Sequence, residues 1–407
     1  MTAPTLPATV RTAATYARSA LGLYGALSAS WAPGRVNLIG EHTDYNDGWV
    51  LPIAIERTVA MVGHLSEAEA TTVRLYSVHH QAEATFDLAR LPTAQEPQDV
   101  PLWARYVAGV LGELHEAGVP LHGFTAAIAG DVPLGGGMSS SAALIVATLT
   151  WLNAALQLNQ APLALARMGQ RAETRGSGVR VGILDHAASA LGQPGQALLI
   201  DCRSLNVQFI PFNLPEVALL VCETGVERSL AATGYNDRRA ECEAATKLFA
   251  DLLAQEGDPR AIRALRDLTE RDYRRLGGHL PQPLRSRARH VISEDMRTLL
   301  AASILRMGET ELFGNLLLES HASLRDDYAV SCAELDAVVE IATRSAGSLG
   351  ARLMGAGFGG SALILAPLDR VDDIIGDLRL LYPQRTGREP TLHRLSPSGG
   401  PGTATLA

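Results

Sequence analysis

Glu41, His42 and Asp44 fall within four consecutive positions, and Arg35 lies six residues before Glu41. Carboxylates and an imidazole grouped this way suit recognition of a polyol, because each can pair with neighbouring hydroxyls. An Arg beside them suits stabilisation of a developing phosphoryl charge, or depression of a nearby carboxylate's pKa. From composition alone, a solvated polar loop accounts for the same residues. A second cluster, 131–144, holds Gly135-Gly136-Gly137, then Met138, then Ser139-Ser140-Ser141. Glycines let the backbone fold closely around a ligand. The serines open a helical pattern whose apolar face runs through Leu144, Ile145, Leu149 and Leu152. A helix start offers unpaired N–H groups and a partial charge of ~0.5 e, which suits phosphate. Serine hydroxyls there can cap the helix, bond phosphate oxygens or ligate Mg²⁺. A cap needs one Ser; three after a glycine triplet favour a phosphate cradle.

Two further segments carry weaker signals. The glycine-rich run 354–361 lies between strand-like runs, where hairpin turns are the commoner use of glycine. Asp185, after Val181-Gly182-Ile183-Leu184, reads in isolation as a helix cap, and Glu173 as a surface helix charge.

The charge inventory limits which phosphate chemistry is open. Of 35 basic residues, 34 are Arg and one, Lys247, is Lys. Lys247 follows no glycine loop, so a P-loop is excluded, as is the Lys of the protein-kinase set. A Schiff-base mechanism would have to use this one Lys, on what reads as a charged helix face. Phosphates would have to be handled by backbone N–H groups, Arg, hydroxyls and metal. A net charge of −8 and a pI near 5.8 argue against a nucleic-acid footprint. Four cysteines without C-x-x-C spacing point to reduced thiols in a cytoplasm. The longest apolar stretch, 142–156, falls short of the ~18–20 residues of a membrane span. The acid-free first 40 residues overlap with transit-peptide composition, but 11–27 reads as an ordinary amphipathic first helix.

These residues need elements to position them. With 407 residues, 47% hydrophobic, two domains are expected. Strand-like runs are 59–65, 72–77, 124–128, 197–200, 217–223, 351–355 and 361–365. Helical patterns are 101–117, 141–157, 162–174, 186–191, 237–256, 262–268, 285–307, 309–327 and 333–345. The mixture in both halves implies an α+β class, with a boundary near 213–216 dividing the chain into 1–212 and 213–407. The tail 396–407 reads as a frayed end.

The segment 34–52 resembles the galactokinase signature G-R-V-N-L-I-G-E-H-T-D-Y-N-x-G-x-V-L-P nearly throughout. The serine loop is similar to the P-x-G-x-G-x-S-S-S-A loop of the GHMP kinases, the wider family of galactokinases and of homoserine, mevalonate and phosphomevalonate kinases. The run 354–361 resembles that family's C-terminal glycine loop, and 182–186 its G-I-M-D-Q segment. Stretches 198–205 and 319–336 are also family-like, so the resemblance runs from about residue 31 to 365. It implies a ribosomal-protein-S5-domain-2-like first domain and a ferredoxin-like second domain, with the site in the cleft between them. It implies transfer of the γ-phosphate of ATP to the C1 hydroxyl of galactose. Glu41, His42, Thr43 and Asp44, with Gly182 and Tyr235, would hold the sugar. Asp185 would act as base or orient the C1 hydroxyl, and Arg35 would lie between it and the γ-phosphate. Gly135, Gly136, Gly137, Met138, Ser139, Ser140 and Ser141 would cradle the phosphates, and Ser141 and Glu173 would bind Mg²⁺. Ser77 and Trp103 would approach the nucleoside. The loop 355–360 would close over the site. The implied partners are galactose and ATP alone, with no nucleic acid or membrane, for a cytoplasmic monomer.

Four positions depart from the family pattern. His186 replaces a Gln, Ala187-Ala188 a bulkier pair, and Ala356 a Gly. All are expected to adjoin the sugar side and the lid, where they would tune sugar choice. A kinase for N-acetylgalactosamine or arabinose is the alternative enzyme. A non-catalytic sugar sensor is the alternative class, disfavoured because the serine loop is complete.

Overall fold

A computed structural model describes the chain at every position other than 1–5, 68, 213, 215, 227–230 and 345–346, with 231–233 described by backbone alone. The first half runs α1 (Ala8–Ser19), β1 (Leu27–Asn37), β2 (Trp49–Val50), β3 (Pro52–Leu65), β4 (Thr72–Ser77), β5 (Ala82–Asp87), α2 (Leu102–Glu116), β6 (Phe124–Gly130), α3 (Ser140–Ala155), α4 (Pro162–Ser177), α5 (Leu184–Leu191), β7 (Gln196–Asp201) and β8 (Val207–Pro211). The second runs β9 (Val217–Glu223), α6 (Ala231–Gln255), α7 (Glu270–Leu276), α8 (Leu284–Met307), α9 (Thr310–Asp326), α10 (Ala333–Arg344), β10 (Gly350–Met354), β11 (Ser361–Pro367), α11 (Val371–Thr386), β12 (Thr391–Leu395) and β13 (Gly402–Leu406).

The larger sheet follows the order β13-β1-β3-β6-β4-β5, with β7 joining β3 and carrying β2 and β8. The smaller follows β10-β11-β9-β12, antiparallel throughout. This is the expected α+β class. The two halves share one core. Val36, Leu38 and Ile39 belong to the same apolar cluster as Leu219, Val221, Met354, Leu363 and Leu365. On β9 the alternate residues Ala218, Leu220 and Cys222 face a second cluster under α6, α8 and α10. Strands buried on both faces read as continuous apolar runs, which is how β9 and β11 appear in the sequence. Helix α3 is likewise buried on nearly all sides, from Ala142 to Leu149 and at Trp151 and Leu152. Its serine start is the end that reaches the cavity described below. Among the described residues no helix is long and apolar enough to cross a membrane.

Several expectations are corrected. The tail is not frayed: β13 pairs antiparallel with β1, Leu27 opposite Leu406 through Trp31 opposite Gly402. Its Thr-Ala-Thr-Leu pattern suits a strand, and the edge of β1 supplies the pairing. The first helix ends at Ser19 rather than 27, because Gly22 and Gly25 take left-handed φ values of 69° and 79° before Leu27 begins β1. The helix expected at 262–268 is a single 3₁₀ turn, Leu265–Asp267. There the Asp267 carboxylate accepts the backbone N–H groups of Arg263 and Ala264, competing with helical pairing. Residue 345, the expected end of α10, and residues 213 and 215, at the expected boundary, lie outside the described residues.

Candidate active site

β1 shifts register between Pro33 and Arg35, a bulge that re-aims the Arg35 side chain out of the strand pattern. The Arg35 guanidinium is buried, and its Nε and Nη2 donate to Asp185 Oδ1 at 2.9 and 2.6 Å. Its Nη1 donates to the Gly137 carbonyl, and its backbone N–H donates to Met138 O at 3.1 Å. Ser139 Oγ donates to the other Asp185 oxygen, Oδ2, at 2.5 Å. Burial pushes the Asp185 carboxyl up, but the Arg35 charge and the Ser139 hydroxyl outweigh it and hold the group below the ordinary carboxylate range. Asp185 is therefore an anion with both oxygens held.

The glycine–serine loop divides its labour. Gly135 and Gly137 take left-handed φ values of 76° and 73° and line the cavity with Ser139, Ser140 and Ser141. Ser139 is left-handed too, at φ 58°, ψ 51°, a conformation costly for a residue with a Cβ. Gly136 faces the other half: its carbonyl accepts Ser361 Oγ at 2.6 Å, and an added Cβ would stand 2.7 Å from Glu223 Oε1. Met138 is wholly buried in the core.

The polyol cluster lies on the loop after β1. Glu41 Oε1 accepts the Gly355 N–H at 2.8 Å and faces Arg352 Nη2 at 3.0 Å. His42 Nδ1 meets Tyr45 Oη at 2.8 Å, and that hydroxyl meets Tyr328 Oη at 2.7 Å. His42 Nε2 is buried without a hydrogen-bond partner. Burial, followed by the neighbouring His290, lowers the His42 pKa to about 3, so its ring is neutral. Burial, and then Asp185 and Glu41, raise Asp44 to about 7. Gly182 packs directly on Asp44: an added Cβ would fall 1.6 Å from its Oδ2. Tyr235, on α6, meets His42 at a tilt and Tyr45 edge-on, with centroids 5.8 and 5.0 Å apart. Thr43 is buried, and its hydroxyl donates to the Gly40 and Trp49 carbonyls, stapling the loop.

These groups face one cavity of about 480 Å³, lined by Arg35, Glu41, His42, Asp44, Asp185 and the serine loop, with Tyr106 and Ala356. Ser77 is not on it; it lines a smaller adjoining pocket of about 70 Å³ that shares Trp103, Leu134, Ser140 and Leu144 with the first. Ser141 Oγ donates to Glu173 Oε1 at 2.8 Å, and Glu173 Oε2 is buried with no aligned hydrogen bond. A carboxylate oxygen with no aligned hydrogen bond, 3.0 Å from His186 Nε2 and beside a hydroxyl at a phosphate-type helix start, fits a divalent cation completed by phosphates. Among the described residues no cluster of three or more His, Cys, Asp or Glu would hold a metal unaided.

The expected sugar-side departures are corrected in part. Ala356 does line the cavity, but His186, Ala187 and Ala188 are fully buried and do not line it. A turn of about 100° per residue carries His186 and Ala187 off the face that Asp185 presents, while Ala188, about 60° from it, is kept off the cavity by burial. His186 Nε2 lies 3.0 Å from Glu173 Oε2, on the metal-type side rather than the sugar side. Of the loop 355–360, Gly355 and Ala356 reach the cavity. Arg352, Tyr106 and Tyr328 were not anticipated. A lone Arg inside the apolar run 351–355 was the available signal for the first.

Chemically, the cavity sets a polyol-type face against a phosphate-type face, with a guanidinium-held carboxylate between them. Residues 24–64 match the galactokinase galactose-binding signature, 105–193 the GHMP kinases N terminal domain and 296–384 the GHMP kinases C terminal. The chain is 42% identical to a galactokinase of Chloroflexus aggregans over 92% of both chains. It is 43% identical to the Homo sapiens galactokinase over 82% of both. It superposes on the Lactococcus lactis galactokinase complexed with galactose with a TM-score of 0.87 at 33% identity, covering 96% of this chain and 98% of that one. The L. major mevalonate kinase shares the fold, with a TM-score of 0.61 at 20% identity over 93% and 98% of the two chains.

Proposed function

Because this chain belongs to the galactokinase family of GHMP kinases, we infer that it is an ATP-dependent sugar kinase making α-galactose 1-phosphate from α-D-galactose. The observation that carries the site assignment is the Arg35–Asp185–Ser139 constellation at the junction of the two faces.

We assign the sugar hydroxyls to Glu41, His42 and Asp44, with Gly182 and Tyr235 closing the pocket and Thr43 holding their loop. His42 Nε2, neutral and unpartnered, suits a hydroxyl. Asp185 receives the C1 hydroxyl proton as the O1–phosphorus bond forms and the bond from the γ-phosphorus to the β-phosphate's bridging oxygen breaks, releasing ADP. Arg35 keeps Asp185 ionised beforehand and stabilises charge as it spreads in the loose transition state. The N–H groups and hydroxyls of 135–141 take the phosphates. Trp103, with Ser77 in the adjoining pocket, takes the nucleoside. Ser141 and Glu173 would hold Mg²⁺, which when bound would supply charge neutralisation to the phosphates. The reading extends to a monomeric cytoplasmic enzyme whose partners are its small substrates. Residues 1–212 form its sugar- and ATP-binding domain, to whose sheet β13 returns, and 213–407 otherwise form the domain that completes the cleft.

Comparing kcat/KM across galactose, N-acetylgalactosamine and arabinose, with ATP and Mg²⁺, tests this reading. Galactose is expected to lead. A higher value for either other sugar overturns the sugar assignment, and sugar binding without ATP consumption overturns the kinase.

A further inference from the structure

We propose that Arg352 is a positioning residue for Glu41, setting from the second half of the chain how that carboxylate meets the sugar. The proposal rests on the sugar-site reading above. Arg352 sits in β10 between Ala351 and Leu353, in a strand buried throughout, and its own side chain is fully buried. A guanidinium in such a place is costly unless it is paired. Its pairing is directed wholly across the interface between the halves. Nη1 donates to the carbonyls of Asn37 at 2.9 Å and Leu38 at 3.0 Å. Nη2 faces Glu41 Oε1 at 3.0 Å as a charge contact rather than an aligned hydrogen bond. The aligned bond to that same oxygen comes from Gly355 N–H, three residues further along.

One short segment therefore grips Glu41 Oε1 from two directions, which leaves Oε2 as the oxygen for a sugar hydroxyl. The same guanidinium ties down the end of β1, two and three residues past Arg35, so it fixes the sugar carboxylate relative to the strand that carries Arg35. A free carboxylate would sample rotamers about its two sp³ torsions, and only some would meet the hydroxyl. Arg352 thus acts through Glu41 on sugar affinity and not on the transferring phosphate.

A double-mutant cycle tests this. Arg352→Met should raise the galactose KM by about 10–100-fold, the range for losing a well-placed bond to a charged group, and leave the ATP KM within about twofold. Added to Glu41→Gln, it should cost little more than Glu41→Gln alone. In a series of monodeoxygalactoses, the analogue that removes the Glu41→Gln effect should also remove the Arg352→Met effect. Additive losses, or a fall in kcat at unchanged galactose KM, would overturn the proposal. If Arg352→Met does not fold by circular dichroism, Arg352→Lys carries the same cycle, and failure of both to fold makes Arg352 structural and likewise overturns it. A wild-type protein that does not turn over galactose refutes the sugar-site reading, whereas normal wild-type turnover with additive variants refutes the role of Arg352 alone.

Discussion

Gly182→Ala is the smallest change that should separate sugar binding from the rest of the site. A Cβ at position 182 would stand 1.6 Å from Asp44 Oδ2 and 2.3 Å from its Cγ, whereas ordinary contact begins near 3.4 Å. Gly182 is buried in the short loop that leads into α5, and with its backbone in place Asp44 must withdraw by about 1.8 Å. The useful range of a hydrogen bond spans only about 0.5 Å. The Asp44 bond to the sugar is therefore lost outright. A bond to a charged group contributes roughly 1.5–3 kcal/mol, so the galactose KM should rise about 10–150-fold. The assay is initial rate against galactose at saturating ATP, run at pH 8, where Asp44 is ionised in the free protein. The ATP KM and the melting temperature are measured alongside. A galactose KM within twofold of wild type, or an equal loss of ATP affinity, would refute the reasoning.

Arg35→Lys should lower kcat about 10²–10³-fold while leaving ATP affinity nearly unchanged, because an ammonium cannot hold Asp185 Oδ1 through two N–H groups and the Gly137 carbonyl at once. Ser139→Ala removes a bond that lowers the Asp185 pKa, so the acidic limb of the kcat/KM profile should move to higher pH. Asp44 is raised in the folded protein to about 7, so the stability it contributes is complete below its unfolded value near 3.8 and is lost as pH rises through about 7. The advantage of Asp44→Asn over wild type in denaturant unfolding should therefore grow from pH 4 to 7.5 and then level off. A constant difference across that range would contradict the shift.

What the sequence made legible is what is contiguous in it. Glu41, His42 and Asp44 share one loop, and the glycine–serine run is a complete local device, a pair of left-handed glycines feeding a helix start. Such motifs need little tertiary information. Arg352 was missed because its meaning lies in partners more than 300 residues away, at Asn37, Leu38 and Glu41. β13 was missed because five strand residues behind a Pro–Gly spacer look like a loose end until the edge of β1 is present to pair with them. His186 was placed on the sugar side because it follows Asp185 in sequence, but one helical step of about 100° turns it toward Glu173. Met138, Gly136 and Thr43 belong to the motifs but serve them by packing and bracing rather than by facing the cavity.

We propose that Asp185, held by Arg35 and Ser139, accepts the proton as phosphate moves from ATP to C1 of galactose. Phosphorus NMR of a reaction with ATP, Mg²⁺ and galactose, run for wild type and Asp185→Ala with nucleotide affinity measured on both, tests it most directly. Wild type should give α-galactose 1-phosphate, and the variant no detectable product at near-normal ATP affinity. Product on another hydroxyl, or turnover by Asp185→Ala close to wild type, would contradict it.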